Sequence, residues 1–233
     1  MNLPKGNKKH SKTFPLFFIS STFVSEMENE VKLELTAKIA DVFMRYGVRS
    51  VNMDDIARNL SVSKKTLYKY FKDKSDVVIS VTQLMTEGEE CQFAKIEAES
   101  ENAIDEIIRL SEFANQMLKD MHPSVMFDLQ KYYPESFQVF LNHKRVFVAN
   151  SVEQNLLKGI KEGLYRDNID VVIISRLYLS MIDAIWNTEL FPNNEYSFAQ
   201  IHLEMIRYHI RGMASPAGIE YLKKRISKNL PNL

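Results

Sequence analysis

Between Ser61 and Lys74 the chain sets five lysines, Lys64, Lys65, Lys69, Lys72 and Lys74, against a single acid, Asp73, with the hydroxyls of Thr66, Tyr68 and Tyr70 interleaved. Cations and hydroxyls on one short helix can neutralise and hydrogen-bond phosphate oxygens, while residues at its N-terminal end reach base edges. Catalysis finds no comparable foothold. There is no HExxH, and no two histidines stand four apart. His202 and His209, seven apart on one helix face, make a weak metal motif alone. Cys91 stands among Glu87, Glu89, Glu90 and Glu97, a field that opposes a thiolate. No nucleophile elbow and no glycine-rich phosphate loop occur, and seven glycines in all leave little material for one. The reading is a protein that is not an enzyme and that uses neither metal nor cofactor.

The lysines need a scaffold, and the surrounding residues supply one. Asn52 caps a first helix, with Asp55 three residues on in the capping-box position, and Val51 and Ile56 form a hydrophobic staple. The same grammar repeats with Ser63 as cap and Val62 and Leu67 as staple. Asp73 and Asp76 mark a third start, for a helix opening at Lys74, where a helix N-terminus also favours a phosphate. On the 3.6-residue period Leu67 and Phe71 point to one side, beside Ile56, Ala57 and Leu60, and leave Lys64, Lys65, Tyr68, Lys69 and Lys72 on the remainder. This is the outline of a helix-turn-helix over residues 52–71.

Gly47, the run Asn52-Met53-Asp54-Asp55-Ile56-Ala57, Val62-Ser63, Thr66-Leu67-Tyr68, Tyr70-Phe71 and Lys74 together resemble the N-terminal domain of TetR/AcrR-type transcriptional regulators, over roughly Val31 to Val81. The resemblance implies that Lys64, Lys65 and Thr66 face bases and that Tyr68, Tyr70 and Lys74 hold phosphates. With Asn52, Ser63 and Lys69 they make up the expected DNA-facing set. Two departures stand out. Ser61 occupies a turn position that is usually glycine in the family, at a conformational cost. Lys65 also stands where glycine is common, adding a charge at the groove.

Thirty basic and thirty acidic residues make the whole chain neutral, which alone argues against nucleic-acid binding. The distribution reverses that argument. Residues 1–74 carry a net charge of +6 and residues 75–233 a net of −6. A basic head on an acidic body concentrates the attractive field at one end, so affinity for DNA should fall with salt. One cysteine excludes an internal disulfide and fits a reducing, cytoplasmic setting. At the N-terminus Lys5, Lys8, Lys9 and Lys12 precede the apolar run Phe14–Val24, which has the look of a signal peptide but is too short to span a bilayer. The expectation is a start at Met27, with residues 1–26 as a disordered or misassigned extension; an ordered arm is the alternative.

From Glu28 onward the pattern is helical throughout, and no stretch alternates with period two. The expected fold is all-α: a three-helix DNA-binding domain at 27–81 and a larger helical ligand-binding and dimerisation domain at 82–233. Val31, Leu35, Ile39, Val42, Phe43 and Tyr46 make one apolar stripe, closed by Gly47. Helices are expected at 74–99, 103–121, near 123–133, at 134–162, 170–188 and 197–213, and near 217–227. The segment 170–188 is apolar nearly all round and must be covered on more than one face. The resemblance implies a four-helix contact between two copies, so 170–188 and 197–213 are assigned to a homodimer interface, with central burial as the alternative. Phe113, Met117, Met121, Phe127, Tyr133, Phe137, Phe140, Phe147 and Trp186 supply aromatic and thioether material for a pocket holding a small hydrophobic or aromatic effector. Plain core packing is the competing account. His122, His143, His202 and His209 read as surface or internally satisfied residues. The resulting picture is a ligand-responsive homodimeric repressor on a palindromic double-stranded DNA operator, with no membrane partner. The alternative is an accessory DNA-binding protein whose body recruits a protein.

Overall fold

The computed structural model describes residues 21–229, with side chains described for residues 28–225. Residues 1–20, most of the expected extension, lie outside that range. The helices are α1 (Ser21–Tyr46), α2 (Met53–Asn59), α3 (Lys64–Tyr70), α4 (Lys74–Glu99), α5 (Ala103–Asp120), α6 (Val125–Tyr132), α7 (Pro134–His143), α8 (Ala149–Lys161), α9 (Val171–Ile185), α10 (Phe198–Met213) and α11 (Pro216–Asn229). A π-helical turn at Lys144–Val148 joins α7 to α8 without a break. Among the described residues the sole extended pairing is one bridge between Tyr165 and Ala214. The fold is all-α. One boundary differs from expectation: α1 reaches back to Ser21, so residues 21–26 open a helix instead of belonging wholly to a loose extension.

The head folds as its caps direct. Asn52 accepts from the amides of Asp54 and Asp55, and the Asp55 carboxylate accepts from the Asn52 amide, completing the capping box. Ser63 caps α3 through the Thr66 amide, and Asp73 caps α4 through the Asp76 amide. Between α2 and α3 the chain turns through Ser61 at φ 55°, the one non-glycine in the left-handed region among the described residues. Gly47 ends α1 at φ +82°, and a Cβ there would lie 2.6 Å from the Ser124 hydroxyl. The apolar stripe of α1 is narrower than its sequence suggests. Leu35, Ile39, Val42 and Phe43 are buried, whereas Val31 and Tyr46 stand exposed at its two ends, where no neighbouring helix covers them.

Head and body do not separate cleanly at residue 81. One core cluster takes in Ile39, Phe43, Ile56, Leu67, Phe71 and Val77 and runs on into Val125, Met126 and Leu129 of α6. A second fills the body around Ile104, Ile108, Leu156, Tyr165, Ile206 and Ile210. Polar contacts reinforce the seam. The buried Asp128 carboxylate of α6 accepts from the amides of Val48 (3.1 Å) and Arg49 (2.9 Å) and from the Ser124 hydroxyl (3.0 Å). The His122 amide donates to the Met44 carbonyl at 2.7 Å. The turn that ends α1 is therefore held by the short helix α6.

Candidate nucleic-acid interface and ligand cavity

α3 is anchored from behind. Leu67 is fully buried and Phe71, its C-cap, nearly so, which fixes which side of this two-turn helix meets solvent. On that side Lys64, Lys65, Tyr68 and Lys69 are exposed, with Thr66 and Tyr70 half-buried at the edges. Lys64 forms an ion pair with Asp54 at 2.5 Å and Lys69 one with Glu28 at 2.7 Å. The hydrogen bond from Asp54 holds Lys64 above its ordinary pKa, and Glu28 does the same for Lys69. Both pairs are exposed, so water screens them and a phosphate can replace either carboxylate at small cost. Lys65 has no ion-pair partner among the described residues. Ser63 and Thr66 share a hydroxyl hydrogen bond of 2.8 Å, and Asn52 is engaged in its cap.

Lys74 sits differently from its sequence-based role. It does open α4, but its ammonium donates to the Arg49 carbonyl at 3.2 Å and lies 5.6 Å from the centre of the Tyr133 ring. Burial there lowers its pKa. In this conformation Lys74 belongs to the seam between head and body, and contact with a phosphate would require it to swing outward.

The second site is a cavity of about 220 Å³ inside the body. Its wall is apolar over most of its area, with Met85 and Phe93 from α4, Met117 and Leu118 from α5, Phe140 from α7 and Trp186 after α9. Of the nine residues expected to line a pocket, Met117, Met121, Phe140 and Trp186 do so. The other five do not. Phe127 points to solvent, Tyr133 and Phe137 pack against the core shared with the head, and Phe147 stacks on His143 from outside the lining. Phe113 also lies off the wall. Helical spacing identified apolar positions but not which side of each helix the cavity adjoins.

The cavity's polar groups are the larger surprise. Glu89, His143, Tyr178, His202 and His209 all line it. His143, His202 and His209 are all buried, so of the two expected settings, surface or internally satisfied, none of these three takes the first. Burial lowers His202 and His209 to about 4, so both are neutral at pH 7, and it lowers His143 as well. The His202 Nδ1 lies 3.1 Å from the Asn115 Oδ1, and the His209 ring packs on that of Tyr178. His122 is bonded to Ser124 at 3.0 Å, so it and His202 are both internally satisfied. Desolvation and the neighbouring Glu90 raise Glu89 to about 7. The His143 Nε2 and the Trp186 Nε1 are buried without a hydrogen-bond partner. Glu89 was legible in principle: it interrupts the apolar spacing Met85, Glu89, Phe93 on one face of α4.

Away from both sites, Val172, Ile173 and Leu177 of α9 are 46%, 56% and 54% exposed, and Tyr208 of α10 is 75% exposed. Among the described residues no three His, Cys, Asp or Glu side chains gather as metal ligands, and no helix is long and apolar enough to cross a membrane.

Residues 35–81, which hold all of α2 and α3, match the family of bacterial regulatory proteins described as the tetR family. The HTH-type transcriptional regulator YvaF of Bacillus subtilis (strain 168) is 22% identical over 156 residues, 65% of this chain and 80% of that protein. A transcriptional regulator from Saccharomonospora viridis, solved in complex with choline, is similar at a TM-score of 0.65 and 14% identity, over 80% of this chain and 99% of that one. The transcriptional regulator FadR from Bacillus subtilis, in complex with stearoyl-CoA, is similar at 0.60 and 17%, over 77% and 98%. Residues 35–81 thus match the tetR family's regulatory model across the helix-turn-helix, and the chain as a whole shares its fold with solved transcriptional regulators.

Proposed function

We propose that this protein is a homodimeric, ligand-responsive repressor that binds an inverted-repeat operator through α3 and reports cavity occupancy through α4. The observation that carries the first half is the outer face of α3, where Lys64, Lys65, Tyr68 and Lys69 stand exposed on a helix pinned by Leu67 and Phe71. Lys64, Lys65 and Thr66 at its N-terminal end read bases; Tyr68, Lys69 and Tyr70 serve phosphates, with Lys74 joining once released from the seam. Asn52 and Ser63 position the two helices. Two copies pair through the uncovered apolar faces of α9 and α10, which fits an operator of two half-sites.

The second half rests on α4. The helix opens at Lys74, in the corner of the head, and its Thr82, Met85, Thr86, Glu89 and Phe93 form one wall of the cavity. Fifteen residues of helix, about 22 Å, join the two places. A ligand that favours one position of α4 shifts the population of dimers whose recognition helices are spaced for DNA. Choline and stearoyl-CoA in the two similar structures support a ligand in the body without indicating the kind this cavity takes.

The test is operator binding by Lys64→Ala and Lys65→Ala variants. Each is expected to weaken binding at least tenfold and to blur the preference for operator over random duplex. Variants that bind operator as tightly and selectively as the parent would refute the assignment of α3.

A further inference from the structure

The cavity contains one desolvated acid, and its one lysine is already paired. Glu89 projects from α4 into a wall made mostly of methionine, leucine and aromatic side chains, and no hydrogen bond reaches its carboxylate among the described residues. The His143 Nδ1 lies 3.8 Å from the Glu89 Oε2, too far for a hydrogen bond. Lys144 is the one lysine or arginine that lines the cavity, and its ammonium is bound to the Asp183 carboxylate. Burial lowers all three histidines of the wall, His202 and His209 to about 4, and so disfavours their charged forms. An anionic ligand would thus meet no positive partner and one acid. A neutral ligand without a hydrogen-bonding group would leave the carboxyl unpaired. A cation would find a carboxylate in a medium of low dielectric, with the rings of Phe93 and Tyr178 also in the wall.

We propose that the effector is a lipophilic cation, an organic molecule with one quaternary or protonated amine seated against Glu89 and an apolar body lying along Met85, Met117 and Trp186. This rests on the ligand-responsive reading above and adds the charge of the ligand to it. The π-helical turn after His143 supports the site. It widens the helix where His143 and Lys144 both turn to the cavity, and such turns occur often at ligand sites.

Protonation of Glu89 adds a signature. The groups that face it are Glu90 on its own helix, His143 on α7, Lys144 with its partner Asp183, and Tyr178 on α9; α5 presents no titratable side chain to the cavity. His202 and His209, at about 4, stay neutral between pH 6 and 8, burial moves His143 down and away from that interval and holds Tyr178 protonated, and Glu89, at about 7, titrates within it. Binding of a permanent cation should strengthen as the pH rises through that interval.

Trp186 is the only tryptophan of the chain and lines the cavity, so its emission reports occupancy directly. The full-length protein is titrated with benzyltrimethylammonium, its uncharged isostere neopentylbenzene, and the anion 4-phenylbutyrate. The expected result is saturable change with the cation, at least tenfold tighter than with either other probe and tighter at pH 8 than at pH 6. Glu89→Gln should abolish that preference and the pH dependence while neopentylbenzene binds unchanged. A preference of the parent protein for the neutral or anionic probe, or a cation affinity unmoved by Glu89→Gln, overturns the assignment of charge and leaves the ligand-responsive reading standing. No response of Trp186 to any of the three overturns both.

Discussion

At Ser61 a single side chain carries a measurable cost. Its φ of 55° lies in the left-handed region, which an L residue with a Cβ adopts at a penalty of roughly 1 kcal/mol that glycine avoids. Ser61→Gly is therefore expected to stabilise the protein by about that amount in urea unfolding, with the Asn52 and Ser63 caps intact. Unchanged or lower stability would mean that the turn relaxes or that the serine makes a compensating bond. The position was legible beforehand because the spacing of two caps around a short turn leaves few conformations. Glu89 was legible only as an acid on an apolar helix face, because periodicity marks that face without saying whether a neighbour or a hollow adjoins it. The resting contacts of Lys74 were hidden for a related reason. Its place at a helix N-terminus is local information, whereas the Arg49 carbonyl and the Tyr133 ring that hold it come from 25 residues before and 59 after.

Among the elements, α6 does more than its eight residues suggest. One side gives Val125, Met126 and Leu129 to the cavity wall, and Asp128 on another side holds the Val48 and Arg49 amides of the head. Two routes thus link cavity to head, α4 along its length and α6 at the end of α1. Asp128→Ala leaves two amides without their acceptor and should cost about 1–3 kcal/mol of stability. It should also loosen the coupling, so that the variant's operator affinity responds less to any effector; a full response from a destabilised variant would confine Asp128 to folding. Helix limits were legible to within a few residues wherever a cap, a proline or a glycine marked them, as at Asn52, Asp73, Pro134 and Asp170. The π-helical turn was not, since Lys144–Val148 carries no breaker and reads as uninterrupted helix. Nor was the shared core visible. Val125 and Leu129 look like any apolar pair four apart, and their contact with the head depends on how α6 folds back.

For the whole molecule, the proposed dimer is the step that turns one helix-turn-helix into an operator-reading device. Leu177 on α9 and Tyr208 on α10 are more than half exposed, and a second copy would cover them. Leu177→Asp should weaken self-association at least tenfold by sedimentation equilibrium while the far-ultraviolet helical signal persists; an undisturbed dimer would move the interface elsewhere. The apolar surface of α9 was readable from sequence, whereas how much of it one chain buries was not: packing covers Ser175 and Ile185 and leaves Val172, Ile173 and Leu177 bare. Two recognition helices related by a twofold axis must meet successive major grooves, about 34–36 Å apart or a multiple of it. The most direct measurement is selection of fragments from the source genome by the purified protein at low ionic strength, followed by sequencing of those retained. The account predicts recovery of an inverted repeat whose half-sites are spaced by a whole number of helical turns, lost when Lys64 and Lys65 are both alanine. Retention of genomic fragments no better than random duplex, with and without a lipophilic cation present, would contradict it.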